Sequence, residues 1–166
     1  MNAATAVMDA QRSANKMLQS IWGARGFPID PVWIAGKLGV TVIETELPAS
    51  VLGGLVKDQH RAAVIVINRL DIQSHKRLNC AHKIGHYAEH LMQANDFYKY
   101  LDLGAEPSGI DPIEIFAHRF GLELLMPEDE IKRLDSAGQS TPLMAQHFGV
   151  TEDVMQERLN EADLCV

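Results

Sequence analysis

The sequence predicts an α+β domain in which a small antiparallel sheet is followed by helices. Three observations carry this reading. Three short runs rich in Val and Ile lie between residues 40 and 68, helical spacing of apolar residues takes over near residue 74, and 166 residues that are 46% hydrophobic suffice for one good core. A single domain over 1–166 is therefore expected, with an N-terminal helix within 1–27, a core at 28–126 and C-terminal helices at 127–166.

Residues 3–21 are rich in Ala, Met, Gln and Leu and predict a leading helix; PVWIAGKL (31–38), opened by Pro31 and closed by Gly39, predicts a short one. The runs VTVIE (40–44), LGGLV (52–56) and AAVIVIN (62–68) predict a three-stranded antiparallel sheet, AAVIVIN being apolar enough to sit centrally. Leu78, Ala81, His82, Gly85, His86, Glu89, His90 and Gln93 then follow helical spacing, which predicts one helix over 74–94. Residues 95–110, with Gly104, Pro107 and Gly109, read as a loop. A helix opens at Pro112 and closes before Pro127, and short helices start near Pro127, Ser140 and Thr151.

The net charge of −7 argues against general affinity for nucleic acid or anionic membrane, which needs clustered Lys and Arg. No window approaches about 18 apolar residues, and the N-terminus lacks the pattern of an export signal, so a cytoplasmic protein is expected. Cys80 and Cys165 suit unpaired thiols in a reducing compartment.

The chemistry concentrates in CAHKIGHYAEH (80–90). Its two histidines four apart frame the zinc-peptidase pattern H-E-x-x-H. At 100° per residue, positions 82 and 86 project within about 40° of each other, so their imidazoles can converge on one cation. Glu114, 28 residues after His86 on the helix that opens at Pro112, is a candidate third ligand that leaves a fourth position for water. The spacing alone does not separate a metal pair from two histidines on a helix rim.

Three blocks in order, VIVIN (64–68), RLNCAHKIGHYAEH (77–90) and EIFAHRFGLELLMP (114–127), resemble the ImmA/IrrE family of zinc metallopeptidases over roughly 28–160. The resemblance implies a zincin-like fold, a small antiparallel sheet packed on a helix pair, with zinc held by His82, His86 and Glu114. It also implies a protein partner, since active members cleave a repressor and induce genes of mobile elements such as phages or stress regulons, and some relatives sit in toxin–antitoxin pairs.

One position departs from the family. The general base falls on Lys83, and a protonated lysine cannot take a proton from bound water; that assistance is worth about 10²–10⁴ in rate. Two unit charges about 4 Å apart repel by roughly 4 kcal/mol at an effective dielectric near 20, and a divalent ion doubles this. Lys83 must swing away, lose its proton, or displace the metal by pairing with Glu114. The expectation is a metallopeptidase-like regulator with lost or very low activity that acts through a repressor or antitoxin. The alternative is a working zinc endopeptidase, using an unusual base or the inverted H-x-x-E-H frame of His86, Glu89 and His90. His118, four residues after Glu114, is expected to steady a ligand histidine. PLMAQHFGVTEDVMQERLN (142–160) resembles a helix-turn-helix, but Glu152, Asp153 and Glu157 would face phosphate, so direct DNA binding is not expected.

Overall fold

The computed structural model describes residues 2–48, 50–58, 60–93, 98–102 and 111–161. Helix α1 (Ala3–Met17) is capped by Asn2, whose side chain accepts from the Thr5 amide at 2.9 Å. It buries Ala6, Ala10 and Ala14 completely and continues into a π-helical turn, Leu18–Trp22. Helix α2 (Pro31–Lys37) starts as the sequence predicts, with Pro31 in its first turn and the Asp30 carboxylate accepting from the Val32 and Trp33 amides.

The fold class is the expected α+β, zincin-like one, but the sheet is larger than the sequence suggests. Strands β1 (Thr41–Thr45), β2 (Gly53–Lys57), β3 (Val64–Asn68) and β4 (Tyr98–Asp102) lie in the order β1-β3-β2-β4. β2 pairs antiparallel with β3 and β4, whereas β1 pairs parallel with β3. VIVIN, the most apolar run, lies between β1 and β2 as expected, but the all-antiparallel pairing fails: β1 runs parallel to β3, and β4 adds a fourth strand. The β1–β2 connection is held by Asn68: its Nδ2 donates to the Leu47 and Val51 carbonyls, and its Oδ1 accepts from the Leu70 amide at 3.2 Å. β4 falls inside the stretch read as a loop; YKYLD has no β-branched residue to announce a strand. The remainder of that stretch lies outside the described residues, as does Cys165.

Helix α3 (Gln73–Gln93) contacts β2 and β3 on one side and α4 (Pro112–Leu125) on the other, and α1 packs on α4. Asn79 ties α3 to the sheet by donating to the Leu52 carbonyl at 2.7 Å. Gly53 leaves it room: a Cβ there would lie 2.6 Å from the Val66 carbonyl oxygen and 3.0 Å from Asn79 Oδ1. Arg77 ties α3 to the C-terminal part, donating to the carbonyls of Ile29 (2.7 Å), Phe148 (3.1 Å) and Gly149 (3.1 Å).

Three short helices follow, α5 (Glu128–Ser136), α6 (Thr141–Phe148) and α7 (Glu152–Glu161). Gly149, with φ of 67°, ends α6 in the left-handed conformation a side chain would strain. α7 is fastened to α4 by a buried ion pair between Arg158 and Glu123, and Arg158 Nε also donates to the Met126 carbonyl at 3.2 Å. No described helix is long and apolar enough to cross a membrane.

Two mutational outcomes follow from these contacts. Arg158→Met leaves the Glu123 carboxylate buried without its cation and should lower unfolding free energy by about 3–5 kcal/mol, whereas the double variant with Glu123→Leu should recover most of it in denaturant titrations. Gly85→Ala places a Cβ 2.8 Å from both the Cα and the carbonyl oxygen of Ala117. Overpacking of about 1–3 kcal/mol should outweigh a helix-propensity gain of about 1 kcal/mol, so the unfolding midpoint should fall.

Candidate metal centre

The site stands on α3 and α4, which run antiparallel with their backbones in contact. Gly85 faces Ala117, Gly121 faces His82, and the first turn of α4 reaches His86 through Glu114. That turn is set by Asp111, which accepts from the Ile113 amide at 2.9 Å, followed by Pro112; Glu114 then falls at the third helical position, where the helix dipole favours a carboxylate.

The three residues the sequence singled out meet. His82 Nε2 and His86 Nε2 are 3.0 Å apart, and Glu114 lies with Oε2 3.2 Å from His82 Nε2 and Oε1 3.3 Å from His86 Nε2. Zinc bonds of about 2.0–2.1 Å at tetrahedral angles put neighbouring ligand atoms about 3.3–3.4 Å apart. The two imidazole nitrogens and the two carboxylate oxygens thus lie at separations comparable to those around one ion, and one ligand atom from each residue falls within 4.8 Å of the others. His86 is buried, while Glu114 is 30% exposed and marks the side open to solvent.

The electrostatics favour a cation. Burial pushes the His82 imidazole down to about 4, so near neutrality it carries a free lone pair, the form that binds metal. Hydrogen bonds from His82 and His86 hold the Glu114 carboxyl well below the usual carboxylate range, so it is ionised. Two imidazoles and one carboxylate fit the donor set of a zinc site with an open position.

Lys83 lies inside the protein, only 2% exposed. Its positive charge is among the influences that lower the proton affinity of His82. Among the described residues, Glu114 forms ion pairs with the two imidazoles. Residue 83 leaves α3 about 100° round from His82.

The other candidates take separate places. The His90 ring stacks on Tyr98 of β4, centroids 3.9 Å apart and planes within 5°, and burial lowers its proton affinity. Glu89 is buried; neither residue enters a group with metal-ligand spacing among the described residues. His118 has its ring centroid 6.4 Å from that of His82, and its Nε2 meets Glu157 Oε1 of α7 at 3.0 Å. The sequence gave no hint of that acidic partner, 39 residues away. With Glu161 the pair forms a second His-carboxylate cluster, but Glu161 is ion-paired to Arg119. His147 bonds Glu130 at 2.9 Å and packs on Phe27. Burial pushes the Cys80 thiol up to about 12, which keeps it protonated and unreactive.

With this geometry in hand, comparison with known proteins gives a consistent answer. No curated protein matches the chain. Among solved structures it is similar to a Mycobacterium tuberculosis transcriptional regulator, with 17% identity and a TM-score of 0.66 over 92% of this chain. The match takes in 46% of that regulator, so the chain spans less than half its length and the likeness is one of fold. The family model described as Peptidase M78, IrrE N-terminal-like domain, matches residues 35–160, a stretch that contains the sheet, both site helices and most of the C-terminal helices. The chain belongs to the IrrE N-terminal-like domain family of M78 peptidases.

Proposed function

We propose that this protein is a metallopeptidase-like regulator that holds zinc on His82, His86 and Glu114, has lost most or all peptidase activity, and acts through a protein partner. A repressor or an antitoxin, of a mobile element or stress regulon, is the kind of partner meant. The observation that carries the reading is the convergence of His82, His86 and Glu114, with nitrogen–nitrogen and nitrogen–oxygen separations of 3.0–3.3 Å, beside a buried lysine at the next position after the first histidine.

Bound zinc would supply a Lewis acid and an activated water at the open position beside Glu114. The chain's own part would be to present two imidazoles and a carboxylate, and the convergence of His82, His86 and Glu114 supports that reading. What it lacks is an acceptor at position 83: an ammonium can only donate, and general-base assistance worth about 10²–10⁴ is absent. A site that retains ligand geometry without its base is suited to binding a polypeptide rather than to cutting one. The family membership and the regulator-like fold neighbour support a role in gene regulation. On the exposed side of α7, Glu152, Asp153 and Glu157 would repel phosphate, so we place recognition of DNA with the partner.

Chelator competition tests the metal. Glu114→Ala should abolish zinc binding near neutral pH, and Lys83→Glu should tighten it at least about tenfold by replacing a repelling charge with an attracting one. Binding unaffected by Glu114→Ala would refute the ligand assignment.

Restoring the base tests the activity. Zinc-loaded Lys83→Glu, incubated with a degenerate peptide library and read by mass spectrometry, should cleave about 10²–10⁴ times faster than the natural sequence. Equal, efficient cleavage by the Lys83 protein would favour the competing reading, a working endopeptidase.

A further inference from the structure

We propose that the outer edge of β1 is a self-association surface: two copies of this chain pair their Thr41–Thr45 strands antiparallel about a two-fold axis at Ile43, joining their sheets into one. The surface is separate from the metal centre, so the inference stands whether or not the chain holds zinc.

Strand β1 ends the sheet, with β3 on one side and no strand on the other among the described residues. The Thr41 amide donates to the Ala63 carbonyl at 2.9 Å and the Thr45 carbonyl accepts from the Arg69 amide at 2.8 Å. Thr41, Ile43 and Thr45 thus turn their backbone groups toward β3. The amides and carbonyls of the alternating residues, Val42 and Glu44, point outward and meet no backbone partner among the described residues. Folded proteins usually blunt such an edge with a proline, a lysine or a bulge. β1 has none of these: it reads TVIET, and its pairing runs without interruption from Thr41 opposite Val64 to Thr45 opposite Asn68. Strand β4, at the opposite end of the sheet, carries the exposed Lys99. On β1 the corresponding feature is apolar, Ile43 at 46% exposure.

The strand suits a second copy of itself. Outward-pointing residues must oppose outward-pointing ones for hydrogen bonds to form, which leaves two-fold registers centred on Val42, on Ile43 or on Glu44. Centring on Glu44 sets two carboxylates opposite each other, which is unfavourable. Centring on Val42 sets Glu44 against Val40, whose amide already donates to the Ala35 carbonyl at 2.9 Å. Centring on Ile43 pairs every residue of the strand. Val42 then exchanges both its bonds with Glu44 of the second copy, Ile43 meets Ile43, and Thr41 meets Thr45, apolar and hydroxyl pairs of the kind that stabilise antiparallel strands.

Charge does not oppose the contact. Glu44 is held by Lys76 at 2.8 Å and Glu46 by Arg69 at 2.7 Å, so each copy carries its own counter-charges to the edge. On the helix side of the sheet Val32, 45% exposed, lines the same hollow as Glu44 and extends the apolar surface beside the strand. Lasting complexes bury about 1,200–2,000 Å² in total, and one short strand pair with these flanks stands at or below the lower end. The dimer is therefore reversible, with a Kd on the order of micromolar or weaker.

Sedimentation equilibrium of the full chain from about 1 to 200 μM tests this, and the mean mass should rise with concentration from the 18.4 kDa of one chain toward twice that value. Treatment with a chelator should leave the curve unchanged. Two variants at exposed positions test the register, Thr41→Lys with Thr45→Lys and Thr41→Glu with Thr45→Glu. Each alone should associate at least about tenfold more weakly, because like charges then oppose each other across the pair, and mixing the two should restore dimers. Ile43→Cys in a Cys165→Ser background should form a disulfide dimer on mild oxidation, since opposed residues of this kind lie about 4.5 Å apart at Cα. Cys80 is buried and does not compete. Val56→Cys, 40% exposed on the interior strand β2, should not cross-link. A chain that stays monomeric over the whole range would overturn the inference. So would a lysine variant that dimerises as well as the natural sequence, or cross-linking of Ile43→Cys no faster than that of Val56→Cys. None of these outcomes bears on the zinc assignment, which chelator competition decides separately.

Discussion

Where α3 and α4 cross, two helices lie backbone against backbone, because Gly85 offers no Cβ toward Ala117 and Gly121 none toward His82. Helices normally pack through interleaved side chains, which hold their axes some 8–10 Å apart. Removing the intervening side chains brings the chains closer and fixes their relative height, since neither contact can be relaxed by a rotamer. A histidine pair on one helix and a glutamate on the other then meet within 3.3 Å. The helix ends reinforce this crossing: Asn79 and Arg77 tie α3 to the sheet and to α6, and α1 covers the far side of α4 with alanines.

The interior built this way is unusually polar. Lys83, His86, Glu89, His90, Glu123 and Arg158 are all buried. Burying charge is unfavourable unless a counter-charge repays the lost hydration, and even a well-formed buried pair such as Glu123–Arg158 is weak evidence of net stabilisation. That pair is better understood as specifying where α7 docks on α4. The rest of these buried residues lie on α3 around His82 and His86. Departures from sound packing of this kind concentrate where function demands them.

Much of this was legible in the residues. Val and Ile runs and the change to helical spacing near residue 74 gave the α+β class, and Pro112 gave the start of the helix that carries Glu114, because propensity and capping act locally. The ligand triad was legible because helical periodicity converts a four-residue spacing into a shared face. Long-range pairing was not. The parallel β1–β3 pair depends on which strand is most apolar overall, and β4 is a tyrosine-led edge strand without β-branched residues. Asn68 looked like the polar end of an apolar run, yet its amide holds the β1–β2 connection. The partners of His118 and Glu123 lie 39 and 35 residues away on α7, a separation at which no local pattern signals contact.

The position of α7 bears on how such a site meets another molecule. Its Arg158 is turned inward to Glu123, its Glu157 engages His118, and its outward residues are acidic or amide. The unit therefore has the outline of a helix-turn-helix while its cation is spent inside the protein. A DNA-reading helix needs the opposite distribution, since phosphate contacts supply most of the affinity in nucleic-acid binding. His118 in turn lies beside His82, its ring centroid 6.4 Å away, so the C-terminal helix and the metal centre share one continuous edge of α4. The border of α7 beside that edge is acidic, with Glu152, Asp153 and Glu157 exposed, and such a border repels phosphate over a distance comparable to the screening length of about 8 Å at physiological salt.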